Sequence, residues 1–459
     1  MKKIHFTTIL FSLVLLFSGC EKFTDLQPKG KNLLDRVSDL DLLLNYWYGR
    51  LSVLRAEEAA ILINDTYPRE RIANLIANPT KTLNSVLITW DEETDRAALT
   101  ASSDAYSTFY SIIGKIANPV LLQIDHASGD KVLAKHLKAE AYVLRAYFHY
   151  LAVNFFAKAY DPETAATDPG IPYAREHDLL SVHNQKYTVQ KVYDLILEDL
   201  HAALELNSLP DKPINIMRVG KSFAYAALAK VYMSMRKFDE AYTAAGNALA
   251  VNNTIYDHRP LSTFRRPDMS CPEDLFYATA NYLLLIGLTP ELTSSYESGS
   301  VFYNKVGKMN AQGPASFGLP IHVLFSNATY LNGSGLTTVD MYLVQAECKI
   351  RSGAVSEAMG ILNHVREYRV DPKTYAPLEA ANATEAFNIL KGIVRQENWY
   401  GCKRFINLKR WNTEDAYKET IRKTLLGVDY ELKPDSPLWI FPFPQNATAF
   451  NPHLTQNYD

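Results

Sequence analysis

Apolar side chains recur every three or four positions along most of the chain after residue 30. Between Leu33 and Leu54, Leu34, Val37, Leu40, Leu44 and Trp47 fall on one helical face. Residues 104–125 continue the period, and Leu133 to Phe156 form a long amphipathic stretch with Ala139, Ala141 and Ala146 as small contact positions. Gln190 to Leu206 predicts a further helix, closed by Ser208-Leu209-Pro210. Two later stretches resemble each other, YAALAKVYMSMRKFDEA at 225–241 and YLVQAECKIRSGAVSEA at 342–358. Tyr225, Ala229, Glu240 and Ala241 align with Tyr342, Ala346, Glu357 and Ala358. An alanine on each side of a short turn lets two antiparallel helices approach closely, as in a tetratricopeptide-like hairpin. The pattern predicts a mainly α protein, with helical hairpins forming a scaffold that carries long irregular insertions.

Those insertions, at 63–100, 157–188, 252–340 and 427–459, are rich in Pro, Gly, Asn and Ser. Long loops in a compact protein are functional or disordered, and these hold too many aromatics for disorder. They are the expected binding surface. The N-terminus belongs to a different category. Lys2 and Lys3 precede an apolar run from Ile9 to Phe17, too short to span a bilayer, which needs about 20 residues. It reads as a secretory signal peptide over 1–19, and Phe17-Ser18-Gly19-Cys20 looks like a bacterial lipobox with Cys20 as the acylated first residue. Residues 20–459 then form a single domain. Two or more acyl chains on Cys20 would hold it stably on a membrane.

Composition narrows the function. The chain has 459 residues with 47 basic and 50 acidic side chains, and no basic patch or stripe of the kind nucleic acid requires. Cys271, Cys348 and Cys402 are widely spaced and suggest neither a disulfide framework nor a metal site, and Cys348 lies in an apolar helix as expected core. No nucleophile elbow, P-loop, dinucleotide fingerprint or H-E-x-x-H motif occurs, so the sequence offers no catalytic residue and calls for no cofactor. The acidic run Asp91-Glu92-Glu93 with Asp95 lacks EF-hand spacing and reads first as solvated charge.

Binding suits the residues better. Trp90 is a lone indole in a polar segment; Tyr67 follows Asn64-Asp65-Thr66; Tyr296 and Tyr303 flank the Ser- and Gly-rich SSYESGSVFYN. Sugar rings stack C–H faces on flat aromatics while their hydroxyls seek Asp, Asn, Gln or Arg partners. Trp90, Tyr67, Asp65, Tyr296 and Tyr303 are therefore the candidate ligand contacts, with Asn64, Glu297 and Asn304 beside them. The competing role for each ring is to anchor its loop to the scaffold.

Several stretches together resemble the SusD/RagB family of surface nutrient-binding lipoproteins. They are CEKFTDLQPKG after the anchor, DAYSTFYSIIGKIANPVL, AEAYVLRAYFHYLAVNFF, the two hairpin starts, IVRQENWYGCKRFINLKRWN and the closing LWIFPFPQNATAFNPHLTQN. Asn407 stands where the family pattern usually has Asp, and Ala447 near where Glu is common. The resemblance implies a SusD-like fold on the outer membrane, facing the cell exterior. Such a protein caps a SusC-like TonB-dependent transporter, captures an oligosaccharide and releases it into the barrel. Peptide capture for the same kind of transporter is the alternative it leaves open; a ligand-free assembly scaffold and a hydrolase are the other readings. Arg395, Glu397, Arg404 and Trp411 look like internal pairing and packing of the signature segment. Loss of Trp411 should then damage folding, and loss of Trp90 only ligand binding.

Overall fold

A computed structural model describes residues 34–45, 57–175, 184–260, 271–278, 285–302, 313–325 and 331–458. Cys20, Tyr303 and Asn304 lie outside the described residues, as does the signal segment. The first half is helical: α1 (Val37–Asn45), α2 (Glu57–Leu62), α3 (Ile72–Ala77), α4 (Leu83–Thr89), α5 (Asp104–Ile112), α6 (Asn118–Gln123), α7 (Lys131–Phe156), α8 (Val189–Glu205), α9 (Lys221–Ser234) and α10 (Phe238–Val251). The middle is mixed, with α11 (Pro290–Thr293), α12 (Gly313–Phe317) and short strands. The second half returns to helix in α13 (Thr338–Arg351), α14 (Val355–Glu367), α15 (Ala383–Asn398), α16 (Lys403–Trp411) and α17 (Gln445–Thr448). No described helix is long and apolar enough to cross a membrane.

Helix α7 is the spine. Asp130 caps it by accepting from the N–H groups of Val132 and Leu133, and almost every side chain from Ala139 onward is buried. Burying a helix all round demands that its charges be paired. Arg145 donates to Asp199 of α8 at 2.6 and 2.7 Å, and Glu140 accepts from Arg218 at 2.7 and 2.7 Å. Against this spine, α7 packs on α8, α8 on α9, α9 on α10, α10 on α13, and α13 on both α14 and α15. The two predicted hairpins are therefore adjacent pairs in one continuous stack. Ala229, Ala241, Ala346 and Ala358 are all fully buried, as their size at the helix contacts requires. Cys348 is core, its thiol 3.6 Å from the Met233 sulfur.

Two expectations change in detail. The helix over 104–125 is broken by a π turn at Ile113–Ala117, where the Asn118 N–H reaches back to the Ile113 carbonyl. Pro119 follows at once; lacking an N–H, it cannot continue the regular ladder. The segment 63–100 is less irregular than its composition suggests, since it holds α3, α4 and the strand β1 (Thr66–Tyr67). Strand β1 pairs antiparallel with β3 (Leu285–Leu288), which pairs with β4 (His322–Phe325). A second small ladder joins β2 (Asp274–Phe276) to β5 (Leu336–Thr337), and a hairpin joins β6 (Ile421–Leu425) to β7 (Val428–Leu432). Sequence-distant insertions are thus stitched to one another, a pairing no local pattern reveals.

Candidate functional site

The stitching decides the fate of the residues read as ligand contacts. Asp65 has no exposed surface; its carboxylate accepts from Arg395 at 2.9 Å and from Arg404 at 2.7 Å. The arginines behave as expected, as internal ion pairs, but their partner is a residue assigned to ligand. Tyr67 is buried among Ile72, Leu75, Phe317 and Ile321, and burial pushes its phenol well up. Asn64 is buried too, its carbonyl accepting from the Thr289 hydroxyl at 2.8 Å.

Trp90 is corrected most clearly. It closes α4 in the left-handed region with φ of 50°. Its indole N–H donates to the Leu62 carbonyl at 2.8 Å, and the Lys423 ammonium sits 4.0 Å above the ring. With 6% of its surface exposed it is an anchor between α2, α4 and β6, not an open stacking platform. Trp90→Ala is expected to loosen the fold and not only affinity. Trp411 fits its assigned role, buried with its N–H on Glu347 at 3.1 Å. The Asp91 carboxylate folds back onto its own turn, accepting from the N–H groups of Glu93 and Thr94 and from the Thr94 hydroxyl.

Tyr296 and Glu297 have a different setting. They face a cavity of about 70 Å³ built by the 296–302 segment, the end of α14 and the end of α15 with the residues just after it. A water occupies about 10–15 Å³ of such space, so the cavity has room for roughly one sugar ring. Four rings form one wall. Tyr296 stacks on Phe302 at 4.5 Å, Phe302 tilts against Trp399 at 5.9 Å, and Trp399 meets Tyr400 edge-on at 5.8 Å. The Tyr296 hydroxyl donates to the Gln396 carbonyl at 2.8 Å, which fixes its ring, while the Gln396 amide returns a bond to Ser295. Tyr296 is the half-buried member; the other three rings are buried.

Charge lines the remaining wall in compensated sets. Arg369 donates to Glu397 at 2.9 and 3.2 Å and to Glu273 at 3.1 Å, and its third nitrogen donates to the Tyr256 carbonyl. Burial alone would lower its pKa, but the two carboxylates outweigh burial and hold the guanidinium charged. Arg366 grips Glu297 at 2.9 and 3.0 Å, and the Glu297 side chain is 38% exposed at the rim. The amide of Asn332 is saturated by Asp274, Phe276, Ala278 and Gly335 and holds the neighbouring turn. The half-buried Tyr296 ring beside the rim carboxylate of Glu297 is the pairing of residue types that sugar recognition uses. Among the described residues no group of three or more His, Cys, Asp or Glu is placed to hold a metal ion.

Of the cavity's lining, the sequence singled out Tyr296 and Glu297 and not Phe302, Trp399, Tyr400, Arg366 or Arg369. Trp399-Tyr400 was legible in principle, as an aromatic pair directly after a helix and before Gly401.

The comparisons with known proteins bear on the whole chain. Residues 34–233 match the family described as "Starch-binding associating with outer membrane", and residues 291–459 match the SusD family. The chain belongs to the SusD family. Solved structures share the fold of this SusD-family chain at low sequence identity. A SusD superfamily protein from Bacteroides thetaiotaomicron aligns with a TM-score of 0.71 at 17% identity, covering 92% of this chain and 99% of that one. A putative sugar binding protein from Bacteroides vulgatus aligns at 0.67 and 18%, covering 93% and 99%. Surface glycan-binding protein A from Bacteroides uniformis aligns at 0.70 and 15%, covering 92% and 99%. A search of curated protein sequences returns no match.

Proposed function

We propose that this SusD-family chain is a cell-surface lipoprotein, anchored through Cys20, that captures an oligosaccharide and delivers it to a SusC-like TonB-dependent transporter in the outer membrane. The observation that carries the sugar half is the Tyr296 cavity, where the half-buried Tyr296 ring, backed by the buried Phe302, Trp399 and Tyr400, shares one concavity with Arg366, Arg369 and three glutamates. The family description and the sugar-binding names of two structural neighbours support the same reading. A tether beside a transporter raises the effective concentration of captured ligand at its mouth, which is what Cys20 would add. The compensated carboxylates serve as hydrogen-bond acceptors, and the chain works by binding, without catalysis.

The test is a binding panel on the full chain in detergent, with oligosaccharides of starch, xylan, mannan, galactan, levan and mucin set against mixed peptides. Saturable binding of at least one glycan, weakened about tenfold or more in Phe302→Ala, is expected from the loss of a ring at the centre of the wall. Saturable peptide binding with indifference to every glycan would replace this reading with peptide capture. Co-purification of a TonB-dependent barrel protein with the chain tests the transporter partnership.

A further inference from the structure

The rim of the Tyr296 cavity presents the two halves of its ion pair unequally. The Arg366 side chain is only 4% exposed, and each of its guanidinium nitrogens is engaged. Nε and Nη2 donate to Glu297, while Nη1 donates to the Asn363 side chain at 2.8 Å and the Ala376 carbonyl at 3.1 Å. Glu297 is the opposite case, with a side chain 38% exposed. Its Oε1 accepts two bonds from Arg366, but among the described residues Oε2 accepts one, at 3.0 Å. A carboxylate oxygen carries two lone pairs, so Oε2 keeps one for a further donor. The pair is closed on its positive side and open on its negative side.

The rest of the lining adds no unpaired cation. Arg369 has every nitrogen engaged, on Glu397, Glu273 and the Tyr256 carbonyl. Three carboxylates, Glu273, Glu297 and Glu397, thus stand against two guanidinium groups. The turn beyond the rim contributes one charge of each sign, Asp371 and Lys373. Arg395, whose charge reaches Tyr296, is paired with Asp65 at 2.9 Å. The backbone around Glu297 is fixed as well. Its carbonyl accepts from the Ser300 N–H at 2.9 Å, and the Val301 N–H donates to the Arg369 carbonyl at 2.9 Å. Gly299 lies so close to the next turn that a Cβ there would clash with the Thr374 hydroxyl. A ligand entering beside Tyr296 therefore meets a positioned acceptor with a surplus negative charge. A sugar hydroxyl donates to it, whereas a sugar carboxylate in the same place is repelled.

We propose that Glu297 is the specificity-determining residue of this cavity, admitting oligosaccharides with neutral rings and rejecting acidic ones such as uronates and sialates. The proposal rests on the sugar-binding reading of the cavity and adds the charge class of its ligand. The experiment is calorimetric titration of the full chain with matched pairs of oligosaccharides. Those of starch, mannan, galactan and levan are paired with the same chains oxidised at primary hydroxyls to carboxylates. Xylan is paired with its glucuronate-bearing form, and neutral mucin glycans with sialylated ones. The neutral member should bind wild type at least about tenfold more tightly than its acidic partner. Glu297→Gln keeps an acceptor oxygen and the side-chain shape but removes the charge, and should narrow that gap about tenfold. A thermal melt shows whether the variant folds, and salt gives a second reading on wild type alone. Salt screens repulsion, so affinity for the acidic member should rise with sodium chloride while that for the neutral member holds. Three results overturn the charge selection and leave sugar binding standing: equal or tighter binding of the acidic member, affinity for it that falls with salt, or a gap unmoved in folded Glu297→Gln. If no member of any pair binds, the sugar-binding reading itself falls and this proposal with it.

Discussion

The hairpins α9/α10 and α13/α14 are the same device used twice, and their differences are more instructive than their likeness. At matched positions both bury alanines, Ala229 with Ala346 and Ala241 with Ala358. At the next matched position they bury opposite charges, Lys230 in the first and Glu347 in the second. Both charges address α16. Lys230 donates to Asn407 at 3.0 Å, whereas Glu347 accepts from Arg410 at 2.7 and 2.7 Å and from Arg351 at 2.8 Å. The turns differ as well: Arg236 takes a left-handed φ of 58° where the second hairpin has Gly353 at 81°. The first hairpin thus holds an incompletely compensated charge and a strained turn, and the second holds a saturated carboxylate and a relaxed one. Only the second continues into the wall of the Tyr296 cavity, through Arg366 and Arg369. The helices are interchangeable as scaffold; the buried charges give each one its place.

The largest effect should come from breaking the saturated side. Glu347→Ala strands Arg410, Arg351 and the Trp411 N–H around an empty position. Removing one partner of a buried charge network costs about 3–5 kcal/mol, so chemical denaturation should show a loss of that order. Burial would raise the Glu347 carboxyl, but Arg410 and Arg351 outweigh it and hold it down at about 2. This stabilisation is complete above the ordinary carboxylate range and is lost as pH falls towards 2, and Glu347→Gln should flatten that acid limb.

The unsaturated side should respond in the opposite direction. Burial pushes the Lys230 ammonium down to about 8 despite Asp340 and Glu347 nearby. Its native pKa is below the unfolded one, so the wild type should gain stability as pH rises from about 8 towards 10.5, by up to about 1.4 kcal/mol per unit. Asn407→Asp gives Lys230 a carboxylate in place of its amide partner. It should add about 2 kcal/mol at neutral pH and reduce the alkaline rise, both read from urea midpoints across pH. The smallest effect should be in the turn. A Cβ on Gly353 would meet nothing within 4 Å, so Gly353→Ala isolates the left-handed penalty and should lower stability by about 1 kcal/mol.

The hairpins were legible because Ala229, Ala241 and their counterparts repeat in register with helical period. Their charge complements were not, because α16 follows α9 only after the whole middle insertion. The same distance explains the candidate contacts. Arg395 and Arg404 read as internal pairs and Asp65 read as ligand describe a single interaction seen from its two ends, more than 300 residues apart in sequence. Trp90 and Tyr67 carry the composition of a binding loop, yet β1–β3 pairing and the Lys423 contact turn their segment into a packed seam. Tyr296 and Glu297 instead line a cavity whose other side is supplied by α14 and α15.

The most direct test of the central claim is a crystal structure of the chain with the oligosaccharide that binds most tightly in the panel. The account predicts a sugar ring in the Tyr296 cavity, against the Tyr296 ring and hydrogen-bonded to the Glu297 carboxylate. Sugar density confined to other surfaces, with that cavity holding only solvent, would contradict it.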